Sequence, residues 1–204
     1  NALLAAPDCT TVAGLRDRAM LHLTYAAGLR VSELLALQMG DFSDRSLSTV
    51  RVLGKGRRER VLPLWKETQT VLRTWIAVRP SVQVQELFVN REGRPLSRDG
   101  FAHRLAVHVA AAARKKPTLA EKRVTPHVLR HSCAMHTLEA TGDIRKVSLW
   151  LGHASLQSTE AYLRVDPAEK LAILAANAAP AVPKGRFRTP DRLLAMLAEI
   201  QKTR

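Results

Sequence analysis

Apolar positions recur at three- and four-residue intervals along most of the chain, a pattern that predicts a largely helical protein. Leu15, Ala19, Met20, Leu23, Ala26 and Ala27 share one helical face, and Gly28 is placed to end that run. A second helix is expected in "RVSELLALQ" with Ser32 near its cap, so residues 15–39 read as a helix with a break. Between Asp41 and Pro63 the period changes. "STVRVL" and "ERVLPL" flank "GKGRR", the pattern of two short strands joined by a hairpin turn. Helical spacing returns over residues 68–78, with Val71, Leu72, Trp75 and Ile76 on one face. It returns again at Phe101, Leu105, Val109 and Ala112, after the loop "NREGRPLS".

"ARKKPTLAEKR" is a basic connection that contains a helix breaker. Pro126 suits the first turn of a helix reaching about Ala140, and a following helix should end at Gly152, behind "KVSLWL". A short helix should carry Tyr162. Residues 178–188 read as a linker, and Thr189-Pro190-Asp191 caps a last helix striped by Leu193, Leu194, Leu197 and Ile200. There is no internal repeat. The fold class is mainly α with a small antiparallel β-hairpin; residues 1–177 form one domain and residues 178–204 a linker with a terminal helix.

Composition narrows the class. A chain of 204 residues, 46% hydrophobic and 25% charged, can bury a real core and is not of disordered composition. No run approaches the ~18–20 apolar residues of a membrane span, and "NALLAAPDCTT" lacks the basic start of a secretion signal. A cytoplasmic setting with no membrane partner is expected. Cys9 and Cys133 are too few for a disulfide framework and read as reduced thiols. Thirty-two Lys and Arg against eighteen Asp and Glu leave a net charge of +14. Such an excess favours a polyanionic partner, above all nucleic acid.

The stretch from Thr125 to Tyr162 is unusually rich in polar side chains able to do chemistry. His127 and Arg130 lie three apart, on one side of a helix, where a solvated polar face is the alternative. His131, four residues from His127, raises a zinc reading. Val128 stands where the metalloprotease glutamate would be, and Arg130 would repel a cation, so His131 reads as a packing or supporting histidine and no metal is expected. His153 follows a helix end, which can aim it into a cleft or simply suit the helix dipole. Tyr162 follows the capped start "STEA", whereas Tyr25 fits the apolar register of the first helix. Upstream, Arg30 and Glu33 are one helical turn apart, the spacing of a modest intrahelical pair. Lys55 sits at the hairpin tip with Arg57 and Arg58, either solvated or delivered by a β-ribbon into a DNA groove.

Taken in order, "YAAGLRVSELLAL", the lysine hairpin, "HVLRH", "LGH" and "TEAY" resemble the tyrosine recombinases, the phage-integrase and Xer-like family, from about Leu15 to Val165. The resemblance implies the catalytic fold of that family and an enzyme acting on double-stranded DNA. It carries the catalytic roles to Arg30, Lys55, His127, Arg130, His153 and Tyr162, with Tyr162 the nucleophile. Lys55, Arg57, Arg58, Arg114, Lys115 and Lys116 would contact DNA. The implied partners are duplex DNA and three further copies of the chain, a tetramer on DNA, in a bacterial, nucleoid-associated setting. No cofactor is implied. The helical core-binding domain that precedes this catalytic domain in relatives is expected to be missing from this chain. The terminal helix would fold back onto its own domain or dock on a neighbouring protomer.

The implied chemistry suits those residue types. A phenol with a pKa of about 10 needs a base as it attacks phosphorus, and His127 is the candidate. Arg30 and Arg130 offer planar donor forks to the non-bridging oxygens, and His153 offers another donor. Lys55 would protonate the leaving oxygen, with Arg57 and Arg58 easing loss of its proton. Glu33 would hold Arg30. Two rivals are a type IB topoisomerase, which relaxes supercoils by the same chemistry, and a DNA-binding protein with no catalysis.

Overall fold

The computed structural model describes residues 1–42, 46–54 and 59–152. The hairpin tip with Lys55, Arg57 and Arg58 lies outside the described residues. So do His153, Tyr162, the 177/178 boundary, the linker and the terminal helix. Six α-helices are described: α1 Val12–Ala26, α2 Val31–Leu35, α3 Lys66–Val78, α4 Arg98–Lys115, α5 Pro126–Thr141 and α6 Ile144–Leu151. One antiparallel pair, β1 Thr49–Leu53 and β2 Glu59–Pro63, stands between α2 and α3. The mainly helical class with a hairpin is what the periodicity predicted. No helix among the described residues is long and apolar enough to cross a membrane.

α1 is the central element. Thr11 caps it by accepting from the Gly14 N–H at 3.0 Å. Ala19, Met20, Leu21 and Leu23 are fully buried, because α3 and α5 both pack on it. Burial on more than one side is why Leu21 and Thr24, outside the expected stripe, are also interior. α3 contributes Leu72 and Trp75; the Trp75 ring stacks on Phe88 at 6.5 Å, and its N–H donates to the Leu87 carbonyl at 3.1 Å. Phe101, Leu105 and Ala112 bring α4 into the interior. A smaller apolar cluster of Cys133, Ala134, Val147 and Leu151 joins α5 to α6. Trp150 ties α6 to α1 by donating from Nε1 to the Ala26 carbonyl at 3.2 Å.

Two polar features inside this frame escape a periodicity argument. Asp17 of α1 is almost fully buried and accepts from Arg16 at 2.7 and 2.9 Å, from Arg104 Nε at 2.5 Å, and lies 2.8 Å from His108 Nε2. Arg104 and His108 belong to α4, so a buried carboxylate staples the two helices. Burial alone would push the Asp17 carboxyl up; the hydrogen bond from His108 and the arginine charges outweigh it and hold it below its usual range. In the hairpin, Val50, Val52 and Leu62 face inward while Arg51, Leu53 and Val61 face solvent. Arg60 pairs with Val52 and so takes an inward place among apolar neighbours.

One expectation is corrected in the second helix. It does not run to Gln38 but ends at Leu35, after which Leu87 N–H takes the Leu37 carbonyl at 2.7 Å and Gln38 bridges to Glu86. Its cap is Arg30, two residues before Ser32: the backbone N–H of Arg30 donates to Glu33 Oε2 at 3.0 Å. Glu33 at the third helical position thus supplies the back-bonding half of a capping box.

Candidate functional site

The turn between α1 and α2 creates the site. Gly28 has φ +56°, and a Cβ there would stand 2.5 Å from Leu151 Cδ2 and 3.2 Å from Cys133 Sγ, so only glycine lets the α5–α6 pair approach. Arg30 follows at the cap of α2, with its side chain 34% exposed. Arg130 arrives from the second turn of α5, whose start is set by Thr125 as cap and Pro126 at the first helical position. It is buried. Its Nη1 donates to the Gly28 carbonyl and its Nη2 to the Leu151 carbonyl at 2.8 Å.

The two arginines meet at one carboxylate. Glu33 accepts from Arg30 Nη1 at 2.8 Å, and Arg130 Nη1 lies 3.7 Å from its other oxygen. Only 3% of the Glu33 side chain is exposed. The prediction that Glu33 holds Arg30 is met, but the modest surface pair is not what forms: the contact is buried on the Glu33 side and shared. Arg60 is the residue that sequence reasoning missed. From the inward face of β2 it spans both Glu33 oxygens, Nη1 to Oε1 at 3.2 Å and Nη2 to Oε2 at 2.8 Å. Its Nε is buried and has no hydrogen-bond partner among the described residues. Burial pushes the Glu33 carboxyl up; the Arg60 hydrogen bond, the Arg30 backbone N–H and the guanidinium charges more than offset it, leaving the carboxyl below its ordinary range.

Gly152 closes the arrangement. It ends α6 with φ +63°, and a Cβ on it would lie 2.9 Å from Arg60 Cδ. The expected left-handed end of that helix is therefore observed, and Arg60 runs against it. His127, one turn before Arg130, and His131, one residue after it, are both exposed. Arg114, Lys115 and Lys116 are exposed at the end of α4. Tyr25 is half-buried, its hydroxyl 2.6 Å from His136 Nδ1, and burial raises its pKa to about 12. It is a structural phenol, as its register implied. Cys9 and Cys133 are both free thiols. Of the six residues expected to act together, the structure brings Arg30 and Arg130 to one carboxylate and places His127 one turn away from the second. Lys55, His153 and Tyr162 lie outside the described residues.

Residues 1–169 match the family model described as the phage integrase family. A putative integrase/recombinase, y4rC, of Sinorhizobium fredii (strain NBRC 101917 / NGR234) is 41% identical over 197 residues, covering 97% of this chain and 59% of that protein. Tyrosine recombinase XerD of Listeria innocua is 40% identical over 169 residues, covering 80% of this chain and 54% of the relative. The chain therefore spans little more than half the length of these curated relatives. Among solved structures, the XerA recombinase superposes with a TM-score of 0.70 at 26% identity, covering 87% of this chain and 62% of that one. A XerH recombinase bound to palindromic difH substrate reaches the same TM-score at 24% identity and shares the fold.

Proposed function

The chain belongs to the phage integrase family, and on that premise we propose that it is the catalytic part of a site-specific DNA recombinase working through a 3′-phosphotyrosine. The observation that carries this reading is the convergence of Arg30 and Arg130, 100 positions apart, on one and the same buried side chain, Glu33. Two guanidinium groups fixed at one point suit a phosphodiester, whose transition state gathers charge on its non-bridging oxygens. Arg130 is aimed by two backbone carbonyls, Arg30 by a carboxylate, so neither has to be organised as the reaction proceeds.

In the proposed step Tyr162 Oη attacks phosphorus and its proton passes to His127. The bond to the 5′ oxygen breaks, and that oxygen leaves as a hydroxyl with a proton from Lys55. His153 donates to the phosphate. The energy of the broken bond stays in the tyrosyl phosphodiester, so a 5′ hydroxyl of another strand can reverse the step without ATP or a metal. The partner is duplex DNA, held in part by Lys55, Arg57, Arg58, Arg114, Lys115 and Lys116, and the active assembly is a tetramer. The net charge of +14 supports a polyanionic partner.

A duplex nicked beside the cleavage site tests this, because the short fragment bearing the freed 5′ hydroxyl diffuses away and traps the intermediate. Wild-type protein should form a denaturation-resistant adduct, and Tyr162→Phe should form none while binding DNA with nearly unchanged affinity. An adduct with the phenylalanine variant would remove Tyr162 from its role. No adduct with wild type, on DNA it binds, would leave a binding protein.

A further inference from the structure

We propose that Arg60 is a positioning residue of this site: through the Glu33 carboxylate it sets the aim of Arg30, and it ties strand β2 to the end of α6. The assignment rests on the recombinase reading and adds to it a residue with no part in that chemistry.

Arg60 occupies a place where the strand pattern calls for an apolar side chain, opposite Val52 and between the exposed Glu59 and Val61. Only 10% of its side chain is exposed, so the guanidinium has given up most of its hydration there. What it receives in return is Glu33, gripped at both oxygens in the fork-to-carboxylate geometry that only arginine provides. The same Oε1 also accepts from Arg30 Nη1. A carboxylate held by one fork cannot turn; the second guanidinium bonded to it inherits that fixity. Without Arg60, Glu33 would keep only its bonds to the Arg30 backbone N–H and Nη1, with Arg130 3.7 Å away to compete for it, and the aim of Arg30 would be less well fixed.

A further observation points the same way. Gly152 passes so close to Arg60 that a methyl group there would meet its Cδ at 2.9 Å and its Nη1 at 3.1 Å. Strand β2, the cap of α2 and the end of α6 are therefore mutually registered at one side chain. Its place is set by Glu33 and Gly152.

The test compares Arg60→Leu, Arg60→Lys, Glu33→Gln and the Arg60→Leu/Glu33→Gln double variant on the nicked duplex under single-turnover conditions. Arg60→Leu should slow the cleavage rate constant about tenfold or more while DNA affinity stays within about twofold. Arg60→Lys should recover part of the loss, because one ammonium keeps the charge but cannot span both oxygens. The double variant should be no slower than its slower parent, since both changes break one unit. A wild-type rate constant with only a smaller adduct yield would make Arg60 merely structural, and additive losses would detach it from Glu33; either overturns the proposal. A second arm needs no activity: the Arg30 Nε–H resonance should shift in Arg60→Leu or, where that variant does not fold, in Arg60→Lys. An unmoved resonance overturns the assignment. If wild-type protein makes no adduct, the recombinase reading falls, and the resonance alone decides Arg60.

Discussion

Arg130 donates from Nη2 to the carbonyl oxygen of Leu151 at 2.8 Å, joining the second turn of α5 to the last residue of α6. Its other terminal nitrogen holds the Gly28 carbonyl in the α1–α2 turn. One guanidinium thus fixes two backbone segments, and one of these is followed immediately by Arg30's own turn. Charge alone does not explain such a residue; its planar geometry does.

Arg130→Lys is therefore expected to fail although the charge is kept. A single ammonium cannot reach both carbonyls along the directions a fork provides, and one carbonyl becomes an unpaired buried acceptor. Single-turnover cleavage of the nicked duplex should slow by about 10²-fold or more, the scale of losing a preorganised donor. Cleavage at the wild-type rate would take Arg130 out of the site.

Gly28→Ala should disturb the same point from the backbone side. An alanine at φ +56° is strained, and its methyl would press on Leu151 and Cys133. Urea unfolding should show a loss of about 1–3 kcal/mol, combining left-handed strain with overpacking. Cleavage should fall too, because the carbonyl that aims Arg130 moves. An unchanged stability would contradict the tight approach.

Asp17→Asn removes the charge that three cationic or hydrogen-bonding partners share. Breaking one side of such a buried network costs about 3–5 kcal/mol. Because the folded carboxyl sits below its unfolded value near 4, its contribution is complete above that value and is lost as pH falls through the lower, folded one. The stability gap between wild type and Asp17→Asn should therefore be widest near neutral pH and narrow below about pH 4. Urea titrations across that range measure it, and a gap independent of pH would sink the explanation.

Replacing Arg114, Lys115 and Lys116 together by alanine should weaken duplex binding without slowing cleavage of saturated complexes. If each touches a phosphate, the slope of log affinity against log salt should shrink by up to ~3. A slope equal to wild type would move the DNA path away from the end of α4.

Much of this architecture was legible before any coordinates. Helix limits followed from Pro126 at the start of α5 and from Gly152 at the end of α6, because those signals are local. The convergence of Arg30 and Arg130 was legible only through resemblance, since spacing along a chain carries no information about contacts across 100 residues. Ser32, read as near the cap, lies two residues inside it, because a glutamate bonded back to the Arg30 N–H sets the helix start there. Arg60 was missed for a different reason. Alternation in "ERVLPL" does put it on the same face as the buried Leu62, yet an arginine in such a register reads as a solvent-facing residue unless a buried acid is known to await it. Asp17 hid in the same way, inside a helix read for its apolar stripe.

The indole of Trp150, bonded to the Ala26 carbonyl, gives the protein an optical reporter. Its two companions sit elsewhere, Trp75 sealed in the interior and Trp65 half in solvent against Tyr25. With Trp65 and Trp75 replaced by phenylalanine, fluorescence would come from a single emitter at the α1–α6 junction. Any separation of those helices as nucleic acid engages would then appear as a red-shifted spectrum, readable in a stopped-flow instrument without attaching a dye.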